Sequence, residues 1–120
     1  MKPSLIRQEV LGSAVEDYHA LYEIIWGLRS LLPNKTEAEL RRLAEREIRE
    51  LLEKGHVALY RRTGPVAKVI LLQPNEVEAV LNDETSWKVP LKPNSEETLV
   101  GATDSGAAEY YSWTEELLRD

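Results

Sequence analysis

The chain contains no cysteine and no long uncharged apolar run. The absence of cysteine excludes thiol catalysis, disulfide frameworks and zinc sites built on thiolates. The apolar runs are far shorter than the roughly 20 residues that span a membrane. Arg7 and Glu9 interrupt the beginning of the chain, where a secretory signal would carry an apolar stretch. We therefore expect a cytoplasmic protein without a membrane segment.

Charge is distributed unevenly along the 120 residues, which are 42% hydrophobic and carry a formal net charge of -6. A chain of this size can bury about 65% of its unfolded surface, so we expect one domain over residues 1–120. Residues 29–68 hold ten basic and six acidic side chains, whereas residues 69–120 hold three basic and eleven acidic ones. A basic middle followed by an acidic end indicates either a surface for nucleic acid or an acidic partner, or an attraction between the two parts of the molecule.

Helix signals divide the first half of the chain. Leu5 to Leu11 alternate poorly and predict an edge strand, which Gly12 ends. Ser13 and Glu16 match a capping box, in which each side chain bonds an orphan backbone N–H of the first turn. They predict a helix to Leu32 that is apolar on nearly all sides and therefore central. Thr36 and Glu39 form a second capping box, and no Gly or Pro interrupts the chain until Gly55, which predicts one continuous helix over residues 36–54.

Strand signals dominate the second half. Residues 56–62 and 66–72 predict a β-hairpin with its turn at residues 63–65, followed by a short helix that begins at Pro74. Residues 98–101 predict a further strand, and Thr103 caps a C-terminal helix over residues 104–118. The predicted order β-α-α-β-β-α-β-α describes an α+β fold with three or four helices and a hairpin.

Two stretches resemble winged-helix domains. Glu53-Lys54-Gly55-His56-Val57 is similar to the passage from recognition helix to wing in that family. Residues 99–106 resemble the entry to the C-terminal helix of MarR-like and PadR-like regulators. The resemblance covers residues 14–72 and 98–118, and it implies a winged-helix-like domain with a hairpin wing that regulates transcription by binding DNA. DNA-binding members place a short helix, a turn and a recognition helix between core helix and wing. The predicted unbroken helix over residues 36–54 leaves no such turn there.

Basic side chains are the leading candidates for contact with duplex DNA. Arginines at helical spacing share one predicted helix face, and further cations lie on the hairpin, where they could contact phosphates. The six candidates are Arg42, Arg46, Arg49, Arg61, Arg62 and Lys68. The alternative is a solvated helix whose glutamates, such as Glu45 four residues before Arg49, neutralise the arginines.

No catalytic, metal or cofactor motif stands out, so we expect a protein that is not an enzyme. Glu16, His19 and Glu23 share a polar strip, which we interpret as solvated rather than metal-binding, since further ligands would be needed. Glu47 faces the apolar side of its helix, and we expect Lys54 or Arg41 to neutralise it.

Aromatic residues near the C-terminus permit two interpretations. Trp87, Tyr110, Tyr111 and Trp113 either pack onto the domain or, together with Leu117, form an interface for a homodimer or a protein partner, since Tyr and Trp are favoured there. The sequence thus leaves two leading functional hypotheses: a regulatory DNA-binding domain, and a protein-interaction module on the same scaffold that binds no DNA. A small enzyme or metal protein centred on His19 is the third, and it would require a deep pocket that contains this histidine.

Overall fold

The computed structural model describes residues 3–64, 68–92 and 95–119, with side chains described up to residue 116. The described chain is an α+β fold, as predicted. Its elements in order are α1 (Leu5–Glu16), β1 (His19–Ala20), α2 (Leu21–Leu31), α3 (Glu37–Glu53), β2 (Val57–Thr63), β3 (Ile70–Leu71), α4 (Pro74–Asn82), a short 3-10 helix (Glu84–Trp87), β4 (Glu96–Ala102) and α5 (Asp104–Arg119).

The first 32 residues differ from the prediction. The predicted edge strand is wrong because Ser4 caps a helix there, its side chain accepting from Arg7 N at 3.1 Å. The predicted helix from Ser13 to Leu32 is wrong too, because the backbone is extended at Asp17 and the chain enters β1 before α2. Gly12 lies inside α1, where a Cβ would meet the Tyr110 ring of α5 at 2.9 Å. This glycine therefore permits helix packing and does not end an element.

The prediction of a continuous second helix is confirmed. Thr36 Oγ1 accepts from Glu39 N at 3.2 Å, and Glu39 Oε1 accepts from Thr36 N at 3.1 Å. Gly55 ends the helix with a φ of 74°, the left-handed conformation that glycine adopts without steric cost. A five-residue connection, Leu32–Thr36, joins α2 to α3.

The antiparallel sheet has the order β1-β4-β2-β3. The hairpin prediction is confirmed for the short pairing of Tyr60 with Leu71 and Arg61 with Ile70, while Pro65 of its predicted turn lies outside the described residues. The long partner of β2 is β4, which pairs with it over seven positions from Val57–Ala102 to Thr63–Glu96. The sequence predicted the strand at β4 but not this pairing.

One hydrophobic core joins α1, α2, α3, α4, the 3-10 helix and the sheet. Its largest fully buried side chains are Leu11, Leu21, Ile24, Leu28, Leu40, Ile48, Leu51, Leu59, Leu81, Leu99, Val10 and Val100. At its margin, Arg7 of α1 donates to Glu47 and to Glu50 of α3. Arg7 is therefore the partner of the buried Glu47, and the expectation of Lys54 or Arg41 is wrong.

We expect Arg7→Met to lower the free energy of unfolding by about 3 kcal/mol, because it leaves the Glu47 carboxylate, 8% exposed, buried without its cation. The matched control is Glu50→Gln, whose side chain is 46% exposed and whose loss should cost less than about 1 kcal/mol. Urea unfolding measures both. Equal losses of unfolding free energy in the two variants would contradict the view that Glu47 is the buried carboxylate that depends on Arg7.

The beginning of α5 lies against the end of the α3–β2 connection. Thr103 N donates to His56 O at 3.0 Å, Thr103 Oγ1 donates to Gly55 O at 2.6 Å, and Gly106 N donates back to Thr103 Oγ1 at 3.0 Å. Gly106 is buried, and a Cβ there would lie 1.8 Å from His56 O. Only glycine allows this approach of helix to backbone.

Gly106→Ala should lower the free energy of unfolding by about 2 kcal/mol or more, because the added methyl group must push α5 away from His56. Gly55→Ala provides the comparison. Its Cβ meets nothing within 4 Å, so only the left-handed backbone costs energy there, about 1–2 kcal/mol. Thermal unfolding of the Gly106→Ala and Gly55→Ala variants measures both losses of stability. Gly55→Asn should lose less stability than Gly55→Ala, because asparagine adopts the left-handed conformation more readily than alanine.

Candidate nucleic-acid interface

Arg42 and Arg46 lie one turn apart on the side of α3 that faces away from the core. Both side chains are exposed, whereas Leu40 and Leu51 on the opposite side are buried. With Lys35 and Glu39 they line a shallow depression of about 290 Å³. Within residues 3–64, 68–92 and 95–116, neither arginine forms an ion pair. These two arginines are the part of the predicted stripe that remains open to a ligand.

Arg49, the third member of the predicted stripe, is instead held by neighbouring side chains. It donates to Glu45 at 3.0 Å, to Glu78 of α4 at 2.8 Å and to Asn82 at 3.2 Å. The hydrogen bond from Arg49 lowers the pKa of the Glu78 carboxyl below its ordinary value, with a smaller contribution from Asn82. Arg49 thus ties α4 to α3.

Arg41 occupies the same flank of α3 and contacts the 3-10 helix. Its guanidinium carbon lies 5.6 Å from the centre of the Trp87 ring. Trp87 is 4% exposed and donates through its indole N–H to Leu81 O at 3.2 Å. The α4 and 3-10 segment therefore covers one flank of α3 and leaves the Arg42–Arg46 face open.

The two hairpin arginines are also paired. Arg61 donates to Glu76 at 3.0 Å and lies 3.6 Å from Glu96, while Arg62 donates to Glu97 at 3.1 Å. Tyr22 of α2 donates to the same Glu97 at 2.9 Å, and burial together with this carboxylate raises the pKa of Tyr22 to about 12. Lys68 is exposed beside residues 65–67, which lie outside the described residues.

The six predicted contact residues therefore do not form one open basic surface. Arg42 and Arg46 lie together, Lys68 is exposed between β2 and β3, and Arg49, Arg61 and Arg62 bind carboxylates. Most of these carboxylates come from the acidic last part of the chain. Of the two meanings of the charge asymmetry, attraction within the molecule accounts for these three arginines. Sequence reasoning missed Lys35, Arg41 and Lys88 beside the open face, since periodicity does not reveal which loop lies next to a helix.

The aromatic residues divide between packing and exposure. Trp87 is buried, Tyr110 lies over Gly12 of α1, and half-buried Trp113 donates to Glu109 at 2.9 Å. These three pack onto the domain. Tyr111 is 58% exposed, and the side chain of Leu117 lies outside the described ones. Among the predicted interface residues whose side chains are described, only Tyr111 is exposed to solvent.

The polar strip around His19 is arranged by backbone contacts. His19 Nδ1 lies 3.0 Å from Asp17 O, and Glu23 accepts from Ala20 N at 2.9 Å. In the described part of the chain, no three His, Asp or Glu side chains are grouped so as to hold a metal ion.

A search of the described helices for membrane spans found none of sufficient length and apolar character.

Comparison of the chain with protein-family models, with curated proteins and with solved structures found no match.

The Arg49–Glu78 pair predicts a pH effect. Since the folded pKa of Glu78 is depressed, the pair contributes stability at neutral pH and loses it as the pH falls through that folded pKa. We expect Arg49→Met to raise the pKa of Glu78 toward its ordinary value and to flatten the acid side of the stability profile. Carboxyl NMR titration measures the first effect, and Asn82→Ala should give a smaller rise. An unchanged Glu78 titration in Arg49→Met would refute this account.

Proposed function

We propose that this chain is a non-enzymatic, regulatory DNA-binding domain of winged-helix type, in which α3 contacts duplex DNA through Arg42 and Arg46. The observation that carries the proposal is the helix pair α2 and α3. Two helices joined by a five-residue connection precede a strand pair, and the second helix exposes two arginines on the face away from the core.

The order of elements supports this proposal more than the sequence did. The segment that the sequence predicted as one core helix, from Ser13 to Leu32, contains the end of α1, then β1 and α2, so a further helix and a connection precede α3. The connection between α2 and α3 is Leu32–Thr36, so the turn precedes the helix and does not lie inside it. β2 and β4 supply the long strand pair that follows, and β1 pairs with β4 beside it.

Other parts of the proposal follow from the same resemblance. Lys68, exposed on the segment that would form the wing, is a further candidate for phosphate contact. A cytoplasmic location is part of the same proposal, since a DNA-binding regulator acts where the DNA is. A homodimer would present two copies of α3, and exposed Tyr111 on α5 is its candidate anchor.

A protein-interaction module on the same scaffold is the second candidate function. The observation that favours it is the neutralisation of Arg49, Arg61 and Arg62 by glutamates, together with a net charge of -6. Both reduce the attraction for a polyanion. In this case Tyr111, and not the α3 face, would contact the partner.

The deciding experiment measures binding to non-specific duplex DNA over a range of salt concentrations. The double variant Arg42→Gln/Arg46→Gln should make the slope of log affinity against log salt less negative by about 2, because each lost phosphate contact removes about 0.9 from its magnitude. The matched control, Lys54→Gln/Lys92→Gln, removes two charges from exposed residues away from that face and should leave the slope nearly unchanged.

Absence of binding by the wild type at low salt would reject the DNA proposal and favour the protein-interaction module. Equal effects of the two double variants would show that only overall charge matters, and would reject the α3 face as the contact surface.

A further inference from the structure

We propose that the cavity between the N-terminal half of α3 and the 3-10 helix is a phosphate-binding site formed by Arg41, Arg42 and Lys88. The site takes the oxyanion of a phosphate ester or of free phosphate. Where that phosphate belongs to the DNA backbone, the inference rests on the proposed function and extends its contact surface to the segment after α4.

The cavity has a volume of about 500 Å³, and three cations from two separate parts of the chain line it. Arg41 and Arg42 come from α3, and Lys88 follows the 3-10 helix directly. Arg42 and Lys88 are exposed, so their charged ends can reach a ligand, whereas Arg41 is partly covered by Trp87. Cations that converge on one concave site from different elements give an anion more attraction than the same charges on a convex helix.

Two carboxylates, Glu37 and Glu84, also line the cavity, so their effect must be weighed. Glu37 accepts from Arg29 at 3.1 Å, and this guanidinium offsets its charge. Asp83 stands next to Glu84, but its carboxylate accepts from Thr85 N at 2.9 Å and from Thr85 Oγ1 at 2.8 Å, so it is already engaged. With Glu37 offset by Arg29 and Arg41 lying 3.7 Å from Glu45, the two remaining cations of the lining, Arg42 and Lys88, still outnumber its one remaining carboxylate, Glu84.

Arg41 has donor capacity that the described protein groups do not use. Its Nε–H is buried and has no hydrogen-bond partner among the described residues. Its terminal nitrogen makes a long hydrogen bond of 3.4 Å to Leu81 O and lies 3.7 Å from Glu45. Protein atoms cover Nε, so a phosphate in the cavity would contact the exposed part of this side chain, which is 26% exposed. Arginine offers a planar fork of donors that matches the oxygens of a phosphate. A bound phosphate would engage this guanidinium from the cavity side.

The test uses inorganic phosphate as the probe and the arginine side-chain N–H signals of the full chain in NMR spectra. We expect phosphate, but not chloride at the same ionic strength, to shift the Arg41 Nε–H signal, which the variant Arg41→Lys assigns. Lys88→Gln should weaken this binding about tenfold, since a hydrogen bond to a charged group is lost. Lys54→Gln, which removes an exposed lysine at the far end of α3, is the matched control and should leave it unchanged.

A second arm uses duplex DNA and distinguishes the source of the phosphate. If a phosphate of the DNA backbone occupies the site, Lys88→Gln should make the slope of log affinity against log salt less negative by about 0.9. Binding of free phosphate without any DNA binding would support the anion site while rejecting the proposed function. The inference fails if phosphate leaves the Arg41 signal unmoved, or if Lys54→Gln weakens phosphate binding as much as Lys88→Gln does, even where DNA binds through Arg42 and Arg46.

Discussion

The orientation of α3 depends on the guanidinium of Arg7, which Glu47 and Glu50 share at the margin of the core. Glu47 is almost fully buried, so its charge is tolerable only because a cation from α1 reaches it. Arg41 and Arg49 hold the other flank of the helix against the 3-10 helix and α4. With both flanks held, the core contacts of Leu40, Ile48 and Leu51 leave one face of α3 open, and the proposed contact with duplex DNA is made by that face.

The parts of the fold that local chemistry determines were predictable from sequence. The capping box at Thr36, the left-handed Gly55, the helix after Pro74 and the cap at Thr103 all lie within a few residues of the groups they satisfy. The errors arose where distant contacts decide. Gly12 lies inside α1, where its missing side chain leaves room for Tyr110, almost a hundred residues later in the chain. β2 pairs mainly with β4 rather than with its nearer neighbour β3, and no local pattern distinguishes these partners.

The candidate site follows the same division. Helical spacing correctly placed Arg42 and Arg46 on the side of α3 away from the core. It could not reveal that Glu78, carried on α4, would engage Arg49, because that pairing depends on how α4 folds back over α3. The uneven charge of residues 29–68 and 69–120 did indicate part of this pairing. Arg61 and Arg62 of the basic middle segment bind Glu76, Glu96 and Glu97 of the acidic last segment. Part of the positive charge of one segment is therefore neutralised within the fold by the other.

The short outer strands have a consequence for how this protein behaves when crowded. β1 and β3 form the two edges of the sheet, and each is two residues long. The seven-residue strands β2 and β4, which carry most of the backbone pairing, are both interior. An unpaired strand of that length at an edge would offer a template on which other chains could add and aggregate. Ile70 and Leu71 are exposed and apolar on the edge strand β3, but a strand of two residues offers another chain little backbone with which to pair.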